Sequence, residues 1–151
     1  MAPTSRTNAT AQVRPLVVQD ARGHDVQLYS RSVALVIGQS SYMGGSTGLS
    51  PLSSIPEEIS NIKTALETHG FDVWTYLDLD SSKLQSTIQC FVDNELPKDP
   101  EMRFVLWFAG HGTTLTDLTN KPPRTDGFVL PIDIKHPPGK EVEASEVRSK
   151  G

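Results

Sequence analysis

Met102-Arg103-Phe104-Val105-Leu106-Trp107-Phe108-Ala109-Gly110-His111-Gly112 is the stretch on which the reading of this chain turns. An apolar segment from Phe104 to Ala109 stops abruptly at a histidine held between two glycines. Aromatic and β-branched residues in so short a run predict a buried strand, covered on both faces. In open α/β sheets reactive groups collect just beyond the carboxyl ends of strands. Flanking glycines remove side-chain bulk, so backbone and substrate can approach the ring. Taken alone, the run fits equally well a strand ending in a turn that His111 merely caps.

The segments around it supply context. Ser32-Val33-Ala34-Leu35-Val36-Ile37 is a second β-branched run, ended by Gly38. A loop rich in Gly and Ser follows, from Gln39 to Ser53. Its glycines fit neither the dinucleotide fingerprint nor the P-loop, and no Gly-Lys-Ser/Thr closes it, so phosphate binding is not supported. Ser54-Ile55-Pro56-Glu57 has the pattern of a capping box with proline in the first turn. Ile59, Ile62 and Leu66 then recur at helical spacing beside Ala65, and Gly70 is placed to end the helix in a left-handed conformation. Phe71 to Leu77 predicts a strand. Asp80-Ser81-Ser82 predicts the cap of a second helix with Leu84, Ile88 and Phe91 on one face, broken by Pro97 and Pro100.

The order strand, helix, strand, helix, strand implies a mainly parallel sheet with helices on both faces, a three-layer α/β/α arrangement. Beyond His111 a polar stretch rich in Thr and Pro leads to Gly127-Phe128-Val129-Leu130-Pro131-Ile132-Asp133, expected as a short strand or the second arm of a hairpin outside the main sheet. Val26 to Tyr29 predicts one short strand in the otherwise polar N-terminal part. The chain thus divides into a flexible leader (1–30), a domain (31–134) and an exposed, charged tail (135–151).

Composition excludes several classes. With 151 residues, 36% of them hydrophobic and 21% charged, the chain has room for one domain with a real core. A net charge of −4 gives no basic field for nucleic acid. No apolar run reaches the roughly 18 residues of a membrane span. Residues 1–15 lack the apolar core of a secretory signal and are expected to be disordered. Cys90 is the single cysteine, which excludes an internal disulfide and suits a reducing, cytoplasmic setting. His24, His69, His111 and His136 follow no ligand spacing, so no metal or other cofactor is expected.

Together, several segments resemble one family. Ala34-Leu35-Val36-Ile37-Gly38 with Tyr42, the helix end Gly70-Phe71-Asp72-Val73, the strand Trp107-Phe108-Ala109-Gly110-His111-Gly112 and the segment Gly127 to Asp133 follow one another in this order. This resembles the N-terminal, large-subunit part of the caspase-like cysteine peptidases, close to the metacaspase and related microbial branches. The resemblance spans Arg31 to Asp133. It implies a caspase-like α/β fold, cysteine-dependent hydrolysis of peptide bonds, and peptide or protein substrates. His111 would correspond to the catalytic histidine. The backbone N–H of Gly112 would correspond to an oxyanion-hole donor, a contact whose loss generally costs about 3–4 kcal/mol of barrier.

The chain also departs from the family. There the nucleophilic cysteine follows the histidine, in an Asp-x-Cys segment at the end of the next strand. Here no cysteine follows His111, and Cys90 precedes it within the second predicted helix, where a small, buried residue of low reactivity is expected. Thr113 and Thr114 are expected as turn residues rather than substitute nucleophiles. Asp117, Asp126 and Asp133 are expected as solvated turn residues, Asp78 and Asp80 as strand-end and cap residues, and Tyr42 as packing under the glycine loop.

The expectation is therefore a C-terminally truncated caspase-like domain that keeps the histidine of a His/Cys dyad and is inactive by itself. The alternative is a non-catalytic interaction or regulatory module that pairs with a homologous caspase-like chain. An unrelated α/β nucleotide-binding domain is the third reading. Without the family's next strand, Phe104 to Ala109 should be an exposed edge, guarded only by Arg103.

Overall fold

In the computed structural model, residues 15–42, 48–95, 101–119 and 121–134 are described. β1 (Leu16–Gln19) and β2 (Asp25–Tyr29) precede β3 (Arg31–Gly38). There follow α1 (Ile55–Thr68), β4 (Asp72–Leu77), α2 (Ser81–Glu95), β5 (Met102–Ala109), β6 (Gly112–Asp117) and β7 (Arg124–Val129). β3, β4 and β5 form a parallel sheet in the order β4-β3-β5. β1 pairs with β2, and β6 with β7, as two separate antiparallel hairpins.

Side-chain alternation along β3 builds the core. Val33, Leu35 and Ile37 point to one face and pack with Leu84 and Phe91 of α2. Ala34 and Val36 point to the other and pack with Ile55 and Ile59 of α1. A strand buried on both faces with a helix on each is the three-layer α/β/α arrangement expected from the sequence. All five of these β3 residues are at most 1% exposed. Full burial of each larger aliphatic side chain contributes about 1.5–3 kcal/mol, so β3 is the spine of the domain.

The helix ends follow their local chemistry, with one correction. Gly70 has φ +80°, its N–H donates to Glu67 O and that of Phe71 donates to Leu66 O, a complete Schellman ending. Asp80 caps α2 by accepting from the Lys83 N–H at 2.8 Å. Ser54, by contrast, does not cap α1 through its side chain. Its backbone is already helical (φ −77°, ψ −19°), so its carbonyl, and not its hydroxyl, begins the helix by accepting from Glu58 N. Pro56 in the first turn also removes one of the donors that a cap would satisfy.

β5 corrects the expectation of a strand covered on both faces. Phe104, Leu106 and Trp107 are 41%, 50% and 38% exposed. The helices pack chiefly over β3 and β4, and among the described residues β5 has β3 as its only neighbour. Its inner atoms are covered: Phe104 packs on Phe91 with ring centroids 5.4 Å apart, and Val105 and Ala109 join the α1 side. Arg103 does not guard the open edge. Its guanidinium turns inward, donating to Ser32 Oγ at 2.7 Å and to the His69 carbonyl at 2.6 Å, 4.2 Å above the Phe71 ring.

The polar stretch after His111 is a strand rather than a loop. Thr113 and Thr114, expected in a turn, lie within β6, whose residues alternate in burial. Its β-branched threonines suit a pleated ladder, and Thr116 Oγ1 meets Thr125 Oγ1 across it at 2.9 Å. β7 is the second arm of that hairpin, and Leu130 to Asp133 leave the ladder. The strand foreseen at 26–29 is β2, whose partner β1 the polar composition had hidden. Pro97, Pro100, His136, residues 1–14 and the tail lie outside the described residues.

Candidate functional site

The parallel register brings three carboxyl ends together: Gly38 stands opposite both Leu77 and Ala109. The segments that leave these strands therefore meet at one end of the sheet. Gln39, fully buried, donates its N–H to Ala109 O at 2.8 Å and clamps the Leu79 backbone with both ends of its carboxamide, at 2.9 and 2.8 Å. Asp78, at φ +55°, turns its carboxylate toward the loop after β3, where it accepts from Ser40 N at 2.7 Å, Ser41 N at 2.9 Å and the Ser40 hydroxyl at 3.1 Å. Burial pushes the Asp78 carboxyl up, but the bonds from Ser41 and Ser40 outweigh it and hold its pKa below the ordinary value of 3.8. Asp78 is thus a loop anchor whose acceptor sites are taken.

His111 follows β5 after Gly110 alone. Its ring Nε2 lies 2.9 Å from the carbonyl oxygen of Ser50. A carbonyl only accepts, so Nε2 carries the proton in the neutral ring, and Nδ1 keeps a lone pair. No bond to Nδ1 from a described residue competes for it. The ring stands edge-on to Tyr42, with centroids 4.7 Å apart and an interplanar angle of 64°. The main chain is held as well: the His111 N–H donates to Tyr42 Oη at 2.8 Å, and the His111 carbonyl accepts from Leu130 N at 3.0 Å.

Ladder alternation fixes the direction of the next N–H. Leu130 N to His111 O makes that pair a hydrogen-bonded one, so Gly112 and Val129 form the following non-hydrogen-bonded pair. The exposed Gly112 N–H therefore points away from β7. A neutral imidazole with its Nδ1 lone pair unengaged can accept a proton, and the outward backbone N–H of the next residue can donate to a developing negative charge.

The chain matches the caspase domain over residues 31–146. It belongs to the caspase-domain family. No curated protein matches the chain. The caspase domain carries a peptidase function acting on peptide or protein substrates, and its α/β fold is the one described above.

The other sequence candidates separate. Cys90 is exposed on α2 rather than buried, and its sulfur accepts from the Asn94 amide at 3.3 Å; the position follows from a helix face turned away from Leu84, Ile88 and Phe91. Asp133 is not a merely solvated turn residue. Its carboxylate accepts from Ser81 N at 2.8 Å and Ser81 Oγ at 3.0 Å, pinning the segment after β7 to the N-terminus of α2. Asp117 and Asp126 are strand residues of β6 and β7 rather than solvated turn residues: Asp117, the last of β6, accepts from Thr119 N at 2.9 Å, and Asp126 pairs with Arg124 at 2.9 Å. These three carboxylates do not join in one site. Among the described residues no group of three or more His, Cys, Asp or Glu is placed to hold a metal ion, and no helix is long and apolar enough to cross a membrane.

Two features escaped the sequence. The Ser50 contact is made by a backbone carbonyl and leaves no side-chain signature. Tyr42 is packed as expected, at 3% exposure, but it also bonds the His111 backbone. The one available signal was a tyrosine where phenylalanine would have filled the space.

Proposed function

We propose that this chain is the histidine-bearing part, residues 31–134, of a metacaspase-related cysteine endopeptidase domain that works in the cytoplasm. His111 acts as the general base through Nδ1, withdrawing the proton from a cysteine thiol as the thiolate attacks the peptide carbonyl. It then returns that proton to the leaving amine. The Gly112 N–H helps to stabilise the oxyanion. The observation that carries this reading is the commitment of Nε2 to the Ser50 carbonyl, which leaves the Nδ1 lone pair available. The single cysteine supports a reducing compartment.

No cysteine follows His111 in the 151 residues, and Cys90 sits on the exposed face of α2. This polypeptide by itself is therefore expected to show no peptidase activity against Arg-, Lys- or Asp-terminated fluorogenic peptides. Turnover that survives purification and is lost in His111→Ala or Cys90→Ser would contradict it. A cysteine-bearing segment from a caspase-like relative, fused after Asp133, should produce hydrolysis that falls by several orders of magnitude in His111→Ala. Equal cleavage with and without the imidazole would remove His111 from the mechanism.

A second reading, a non-catalytic module that pairs with a homologous caspase-like chain, is favoured by the edge of β5, which has no partner strand among the described residues. Specific binding of an intact relative, with no gain of turnover in the fusion, would select it.

A further inference from the structure

We infer that the Tyr42 hydroxyl is the positioning group for His111, and that it works by taking the place of one bond in the β6–β7 ladder. The catalytic importance of this role rests on the reading of His111 as the base. In an antiparallel ladder, the two residues of a hydrogen-bonded pair exchange two N–H···O=C bonds. At His111 and Leu130, one step beyond Gly112 and Val129, only one of the two is made directly, from Leu130 N to His111 O at 3.0 Å. The other runs through the phenol. The His111 N–H donates to Tyr42 Oη at 2.8 Å, and Tyr42 Oη–H donates to the Leu130 carbonyl at 3.2 Å. The hydroxyl stands where a bridging water would stand.

Three further observations agree with a hydroxyl that is needed rather than incidental. Tyr42 is 3% exposed, and burial pushes its phenol above the ordinary tyrosine range, so it keeps the proton that it donates to Leu130. A Cβ on Gly110 would stand 2.7 Å from Tyr42 Oη and 3.0 Å from Gln39 Cβ, so the approach of the hydroxyl accounts for the absence of a side chain just before His111. The Tyr42 ring also meets the imidazole edge-on, so one side chain sets both the main chain and the ring plane of His111. Phenylalanine would fill the same space, yet the His111 N–H and the Leu130 carbonyl would be left to close on each other or to go unpaired. Either outcome draws the imidazole away from the Ser50 carbonyl.

The test is nitrogen-15 NMR of the histidine rings in the full chain. In the wild type, the Tyr42 hydroxyl proton should be protected from solvent and show a nuclear Overhauser contact to the His111 amide. The His111 ring should be held as the Nε2–H tautomer. In Tyr42→Phe the ratio of the Nε2–H to the Nδ1–H form should fall about tenfold, the equilibrium worth of one ordinary hydrogen bond. Gly110→Ala, which keeps the tyrosine but displaces its hydroxyl, should shift the ratio in the same direction. A purely structural tyrosine would lower the melting temperature and leave the tautomer ratio where it was. An unchanged ratio in either folded variant, or a wild-type hydroxyl without the contact to the His111 amide, overturns the inference. A fused enzyme indifferent to His111→Ala would instead overturn the catalytic reading and leave these ring measurements standing.

Discussion

The carbonyl oxygen of Ser50 lies 2.9 Å from Nε2 of His111 and fixes which ring nitrogen carries the proton. The contact joins the loop after β3 to the end of β5, two segments brought together by the in-phase carboxyl ends of the sheet. It uses the main chain at position 50, while the Ser50 side chain is exposed. Ser50→Ala is accordingly expected to change stability by no more than about 0.5 kcal/mol and to leave the His111 tautomer unaltered. Denaturant titration and histidine ring nitrogen shifts check both. A tautomer change in Ser50→Ala would mean that the serine hydroxyl, and not the carbonyl, sets the ring.

Asp78 gives the loop a pH-dependent anchor. Its folded pKa is held below 3.8, although burial opposes this, because the carboxylate accepts from the Ser41 and Ser40 N–H groups and the Ser40 hydroxyl. A depressed carboxylate stabilises the fold fully above its unfolded pKa and stops doing so as pH falls through the folded one. Asp78→Asn keeps a side chain that tolerates the positive φ but loses the charge. It should cost about 1–3 kcal/mol at neutral pH. The gap from the wild type should close on acidification below 3.8. Urea midpoints measured from pH 7 down to pH 3 would show it; a gap constant across that range would deny Asp78 an ionic role.

Much of the fold was legible because burial imposes a period. The alternation in β3, the helical spacing of Ile59, Ile62 and Leu66, and the face carrying Leu84, Ile88 and Phe91 reflect elements buried against one another, and all were readable. The hairpins were harder, since their threonines and exposed valines carry no strong apolar rhythm. Ser54 fits the capping motif, yet the backbone was already helical there, and a motif cannot report its own φ and ψ. Asp133 finds Ser81 across 52 residues, a pairing that no local pattern encodes. The histidine itself was legible from its place after an apolar strand; its backbone partners at Ser50, Tyr42 and Leu130 were not.

Gly38 is a packing point between β3, α1 and the end of β4. A Cβ there would come within 2.7 Å of Ile55 Cγ2 and Ile59 Cγ1 and 2.9 Å of Leu77 Cδ2. These atoms belong to the α1 core and to the end of β4, so a methyl group there requires the Ile55, Ile59 and Leu77 side chains to shift. Gly38→Ala should destabilise by about 1–3 kcal/mol. Trimming the helix in Gly38→Ala/Ile59→Ala should give less loss than the sum of the two single changes, because the new methyl fills part of the space vacated. Strict additivity in a double-mutant cycle would show that the clash is relieved elsewhere.

The open side of β5 sets the solution behaviour of the chain. Among the described residues, β5 pairs with β3 along one edge only, and Phe104, Leu106 and Trp107 remain exposed. Native sheets usually protect such an edge with charge, proline or a covering segment. Arg103, the cation on β5 itself, is committed to Ser32, the His69 carbonyl and the Phe71 ring, so it does not repel an incoming strand. The 151-residue chain is therefore expected to associate as its concentration rises, with amides of residues 104–109 becoming protected as it does. Leu106→Lys, which places a charge on that side without removing any core side chain, should shift the association to at least about tenfold higher concentration, equivalent to 1.4 kcal/mol. Sedimentation velocity over a concentration series, with hydrogen exchange at each step, measures both. A compact monomer at high concentration with strong protection across residues 104–109 would mean that another part of the chain covers β5, and the edge would not exist.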